Sequence, residues 1–186
     1  MRGVATGASG SVYGVYGDGG NTTATNYGVY GTGEEYGIYG SSGAYAGYFD
    51  GHVHITGNHT VSGTKSSIVN TRDYGTRTLY AVESPENWFE DFGEASLVKG
   101  TAIITIDPIF AQTINLTETY HVYVTAVCDE PVLLFVTAKT ATSFTVRGVN
   151  LDGEASTCSF DYRIVAHRLG YEDLRLEPFI NEGVEP

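Results

Sequence analysis

The sequence predicts an all-β protein in two parts: a trimeric repeat stalk, a β-prism or triple-stranded β-helix, followed by a small antiparallel β-sandwich-like domain. Three observations carry this. Glycine is spread unevenly, with seventeen of 24 before residue 64, where eight of the 14 tyrosines also lie. Those tyrosines recur in a unit of the form Y-G-(V/I)-Y-G. From about residue 66 Val, Ile, Leu, Phe and Thr dominate in short runs between turn signals, the composition of half-buried strands.

The stalk is placed at residues 1–50. Its units are Tyr13 to Gly17, Tyr27 to Gly31, Tyr36 to Gly40, and a degenerate Tyr45, Ala46, Gly47, Tyr48, Phe49, with first tyrosines offset by 14, 9 and 9. Each unit reads as a short strand followed by a turn such as Asp18-Gly19-Gly20-Asn21 or Ser41-Ser42-Gly43. Repeats this short bury nothing unless they stack on copies of themselves. A threefold stack is preferred to a single-chain solenoid, because four units are few for a solenoid and pairing between chains removes exposed edges.

Residues 51–65 form the transition, within the alternating run Gly47 to Asn58 that reads as a strand broken by glycines. The head follows at residues 66–176, with a boundary near Gly63 to Ser67. Its expected strands are Thr78 to Glu83, Thr101 to Asp107, His121 to Val127, Val132 to Ala138, Ser143 to Gly148 and Cys158 to His167. Their connections are too short for helical crossovers, which makes them antiparallel. Asp107 and Pro108 read as the cap and first position of one helical turn. An acidic tail occupies residues 177–186.

A formal charge of -12 argues against a nucleic-acid backbone or an anionic membrane surface as partner, because either would repel the chain at long range. No apolar run reaches the roughly 20 residues that span a bilayer, so membrane insertion is not expected. The repeats begin almost at once, which predicts that the chain is the C-terminal piece of a longer polypeptide. Cys128 and Cys158 lie at apparent strand ends and pair if those strands are neighbours; otherwise they are two buried thiols.

The Gly-Tyr repeats running into Gly47-Tyr48-Phe49-Asp50-Gly51-His52-Val53-His54-Ile55-Thr56-Gly57 resemble the shaft-to-tip junctions of bacteriophage tail fibres and bacterial surface fibres. The segments Val82 to Gly93, Asp107 to Phe110 and Phe160 to Ala166 look like C-terminal domains attached to such repeats. The resemblance implies an extracellular homotrimer joined to upstream fibre segments. It implies no reaction, and no segment after Arg168 matches the self-cleaving serine-lysine chaperone that ends many tail-fibre relatives.

His52 and His54, two residues apart on a strand, place both imidazoles on one face. Facing a threefold axis, three such pairs suit an octahedral transition-metal ion, a use the resemblance also implies. The alternative is that they face solvent or stack on Tyr48 and Phe49. His59 has the opposite parity and is a poorer third ligand.

Glu83, Glu86, Glu90, Asp91 and Glu94 surround Trp88, an arrangement compatible with carboxylates gripping a sugar against an aromatic platform. The plainer reading makes Trp88, Phe89 and Phe92 core anchors of a loop with solvated acids. Ser84 has no oxyanion turn and no Gly-x-Ser-x-Gly elbow occurs. His121 and His167 read as structural histidines within strands, and Cys128 has no partner base. The reading is therefore a non-catalytic fibre tip that attaches to a cell-surface glycan or protein receptor, with Trp88 and Tyr123 as candidate ligand-binding anchors. A purely structural fibre element or cap is the alternative, and a surface-polysaccharide depolymerase comes third.

Overall fold

A computed structural model describes residues 29–34 and 36–179. The first repeat unit, the start of the second and the end of the acidic tail lie outside the described residues. The chain divides into two units, with Val61–Ile180 forming one of them.

That unit is built from antiparallel strands. The first two, β1 (Ser66–Thr71) and β2 (Gly75–Tyr80), make a hairpin in register from Ser66 opposite Tyr80 to Thr71 opposite Gly75. The turn is closed by the Thr71 hydroxyl, which accepts from the Tyr74 N–H and donates to the Gly75 carbonyl. Gly75 supplies the φ of 69° that the turn needs. Every hairpin residue except Thr71 is exposed, Ile68, Leu79 and Tyr80 included.

Six further strands form two three-stranded sheets. These are β3 (Trp88–Ser96), β4 (Thr101–Thr105), β5 (His121–Val127), β6 (Val132–Lys139), β7 (Ser143–Asn150) and β8 (Ser159–His167). One sheet has the order β3-β8-β5 and the other β4-β7-β6. Every connection except the β6–β7 turn passes from one sheet to the other. The two sheets therefore close over one core, with Phe144 and Val146 from β7 meeting Phe160, Ile164 and Ala166 from β8. Phe144 sets its ring edge-on to Tyr162, 5.3 Å between centroids. Buried Tyr120 donates its hydroxyl to the Thr140 and Ser143 carbonyls, tying the start of β5 to the β6–β7 turn.

The disulfide Cys128–Cys158 extends the β5–β8 register one step beyond Val127 opposite Ser159. Between β4 and β5, the Asp107 carboxylate accepts from the Ile109 and Phe110 N–H groups and caps a short 3₁₀ turn, Phe110–Gln112.

Three expectations need correction. The strand expected at Thr78 to Glu83 is Gly75–Tyr80, and its partner Ser66–Thr71 was not foreseen. The segment read as an acidic loop around Trp88 is the nine-residue strand β3. The described part of the repeats and the transition contains no strand, although both were read as strands. A strand is held by ladder hydrogen bonds to a neighbouring backbone.

The repeats nevertheless share a local geometry at their nine-residue period. Tyr36 and Tyr39 meet edge to face at 5.6 Å, and Tyr45 and Tyr48 do so at 6.4 Å. A Cβ added to Gly31 would lie 2.4 Å from the Gly37 carbonyl oxygen, and one added to Gly40 would lie 2.6 Å from that of Ala46. Backbone touches backbone at both positions, which only glycine allows.

Candidate ligand-binding face

The outer face of the β3-β8-β5 sheet gathers chemistry-bearing side chains. Strand alternation turns Asp91, Gly93 and Ala95 of β3 toward the other sheet and sends Trp88, Glu90, Phe92, Glu94 and Ser96 outward. On β8, Phe160, Tyr162, Ile164 and Ala166 face the core while Asp161, Arg163 and His167 face out. On β5 the outward residues are His121, Tyr123 and Thr125. Antiparallel register arranges these as rows across the three strands.

The central row is Phe92, Arg163, Tyr123. Its two rings are 64% and 58% exposed. The guanidinium lies 5.7 Å from the Phe92 ring and 6.0 Å from the Tyr123 ring. Arg163 Nε donates to the Glu90 carboxylate at 2.6 Å, and its terminal nitrogen contacts the same oxygen. The cation is thus neutralised within the face and sits between the two rings.

The next row is Glu94, Asp161, Thr125. Here two carboxylates stand directly opposite each other, and among the described residues neither has a cationic or hydrogen-bonding partner. Like charges in this position destabilise a sheet. Beyond them the Ser96 and Ser159 hydroxyls hydrogen-bond to each other at 2.8 Å.

Phe92, Gly93, Glu94, Asp161 and Tyr162 line an open depression of about 390 Å³, within the range of small-molecule sites. On the core side of this edge strand, opposite Tyr162, Gly93 leaves the space that the Tyr162 ring fills. A Cβ at Gly93 would meet the Tyr162 hydroxyl oxygen at 2.3 Å. Burial raises the Tyr162 pKa, and nearby Asp91 adds to the rise. The larger depression, about 550 Å³ beside the disulfide, is lined by Asp129, Glu130, Asn150 and Ser156 and by no aromatic ring.

At the other end of the face, Trp88 stacks on His167, 3.9 Å between centroids at 27°, and lies 5.5 Å from His121. His167 Nδ1 is 2.9 Å from Glu118, and its Nε2 lies 3.5 Å from Glu86 without making a hydrogen bond. Glu86 also holds Arg175 at 2.8 Å. Burial opposes the charged imidazole, but the two carboxylates outweigh it and the His167 pKa is raised. This cluster ties the segment before β3, the β4–β5 connection and the C-terminal segment to one side chain.

The two anchors named from sequence, Trp88 and Tyr123, therefore share a face, Tyr123 in the central row and Trp88 in the histidine cluster. The acids around Trp88 do not converge. Glu83 pairs with Lys65, Glu86 with Arg175, Glu90 with Arg163, Asp91 faces Tyr162, and Glu94 alone stands free on the platform. Sequence reasoning treated Phe92 as a core anchor and passed over Arg163 and Asp161. Both parities of β3 mix aromatic and acidic residues, so alternation gave no signal there. His52, His54 and His59 lie exposed in a segment without secondary structure. Among the described residues no group of three or more His, Cys, Asp or Glu is placed to hold a metal. No protein-family model matches the chain, and no relative among curated proteins matches it.

Proposed function

We propose that the chain is the tip of an extracellular homotrimeric fibre that attaches to a cell-surface receptor without catalysing a reaction, and that the outer face of the β3-β8-β5 sheet makes the contact. The supporting observation is the central row: two exposed aromatic rings flank a cation already neutralised by Glu90. Exposed, pre-positioned aromatics bind at small entropic cost and serve as anchors in protein interfaces and saccharide sites. Three copies of a weak site on one fibre multiply its avidity.

Cell-binding assays on Phe92→Ala and Tyr123→Ala variants test this. Each loses at least tenfold in affinity if its ring anchors the receptor, since a hot-spot contact is worth about 2 kcal/mol or more and 1.4 kcal/mol is tenfold. Unchanged binding by the folded double variant removes the face from the proposal. Light scattering checks the assembly and is expected to give three chains per particle. Elemental analysis of the same particle, with and without His52→Ala and His54→Ala, reads whether those histidines hold a transition-metal ion on the axis.

A further inference from the structure

We propose that the receptor group seated on this face is a saccharide carrying a free amine. The inference rests on the reading of the face as a receptor-binding surface and names its ligand class. The unpartnered pair Glu94 and Asp161 lies one row from the Phe92 and Tyr123 rings, and Phe92 lines the same depression as both carboxylates. A sugar ring lays its C–H face on an aromatic side chain, and its hydroxyls find Thr125, Ser96 and Ser159 within two rows. An ammonium on that sugar comes to rest between Glu94 and Asp161 and removes the repulsion that the free face carries.

Charge complementarity separates this ligand from other sugars. Arg163 is committed to Glu90, so the face offers no free guanidinium to a sialic, uronic or sulfated group. The chain's formal charge of -12 opposes their approach at long range. A neutral sugar fits the rings and can donate hydroxyls to the carboxylates, but leaves their negative charge uncompensated. An amino-sugar answers both features of the site.

Calorimetric titration of the intact protein at mildly acidic pH uses glucosamine oligomers, N-acetylglucosamine oligomers of the same length, a uronic-acid oligosaccharide and oligolysine. The expected order places the glucosamine oligomer at least tenfold tighter than its acetylated counterpart, weakening with added salt, with no binding of the uronic-acid chain. The double variant Glu94→Gln, Asp161→Asn is expected to remove the preference for the amine while leaving Tm unchanged or higher. Phe92→Ala is expected to weaken both neutral and amino oligomers together.

Equal or tighter binding of the acetylated oligomer overturns the amine inference and leaves the receptor-binding face intact. Oligolysine binding as tightly as the sugar overturns the saccharide assignment in favour of a cationic peptide. No binding of any saccharide overturns the proposal. In that case cell attachment that still depends on Phe92 and Tyr123 preserves the parent reading, and attachment indifferent to them ends both.

Discussion

The repeats and the head solve the placement of aromatic rings in opposite ways. In the head, Phe144, Phe160 and the Tyr162 ring pack between two sheets supplied by the same chain. In the described repeats every side chain is exposed, and Tyr36 meets Tyr39 as Tyr45 meets Tyr48, each three residues on. The nine-residue geometry there comes from glycine letting backbone approach backbone, a local effect that needs no core. Among the described residues those rings stay exposed. A sequence repeat can thus specify a local shape while leaving its stability to what it stacks on.

The sharpest way to separate the two regions is to damage the core of one. Phe160→Ala leaves a cavity at a fully buried position and should cost about 3–5 kcal/mol, read as a shift in the urea midpoint of the head transition. Tyrosine signals from the repeats should be unaffected; a matching loss in both would show that they unfold as one unit. Removing the disulfide with Cys128→Ser and Cys158→Ser opens a loop spanning 30 residues and should cost roughly 3–4 kcal/mol on the chain-entropy model, again in the head alone. Gly93→Ala drives a methyl group into the Tyr162 ring, which is held by Phe144, and should cost about 1–3 kcal/mol. A neutral outcome there would mean that the edge of β3 gives way.

The smallest effect is in pH. The folded His167 pKa is raised above its unfolded value, so its contribution is fully present below about pH 6.5 and is lost as pH rises through the folded value. Stability of the wild type should therefore decline across that interval, and His167→Gln should flatten the decline. An identical pH profile in the variant would assign the dependence to another group.

Much of the head was legible because its strands obey alternation. His121 to Val127 matches β5, and Val132 to Ala138, Ser143 to Gly148 and Cys158 to His167 lie within a residue or two of β6, β7 and β8. The turn after Asp107 was legible for a different reason, since a carboxylate before proline has a specific hydrogen-bonding use, but it begins at Phe110 with Ile109 in the N-cap position, two residues later than expected. The hairpin was only half legible, because Ser66 to Thr71 has few apolar residues and declares itself a strand only by pairing. At the candidate site, Trp88 and Tyr123 both lie on the outer face of the β3-β8-β5 sheet. The row Phe92-Arg163-Tyr123 could not be read, because its members lie far apart in sequence and are joined only by register. The histidine cluster was hidden likewise, with Glu86, Glu118 and His167 coming from three separated segments.

The position of the disulfide has a mechanical consequence. It bridges the end of β5 to the start of β8, so tension drawn along the chain passes from Cys128 to Cys158 through sulfur and bypasses the whole β6–β7 hairpin. Pulled from its two ends, the oxidised head can pay out only the strands outside that loop. Reduction should lengthen the fully extended chain by about 100 Å, at roughly 3.3–3.6 Å for each of the 30 residue steps between the cysteines. Two of the six sandwich strands are thereby kept out of the line of force.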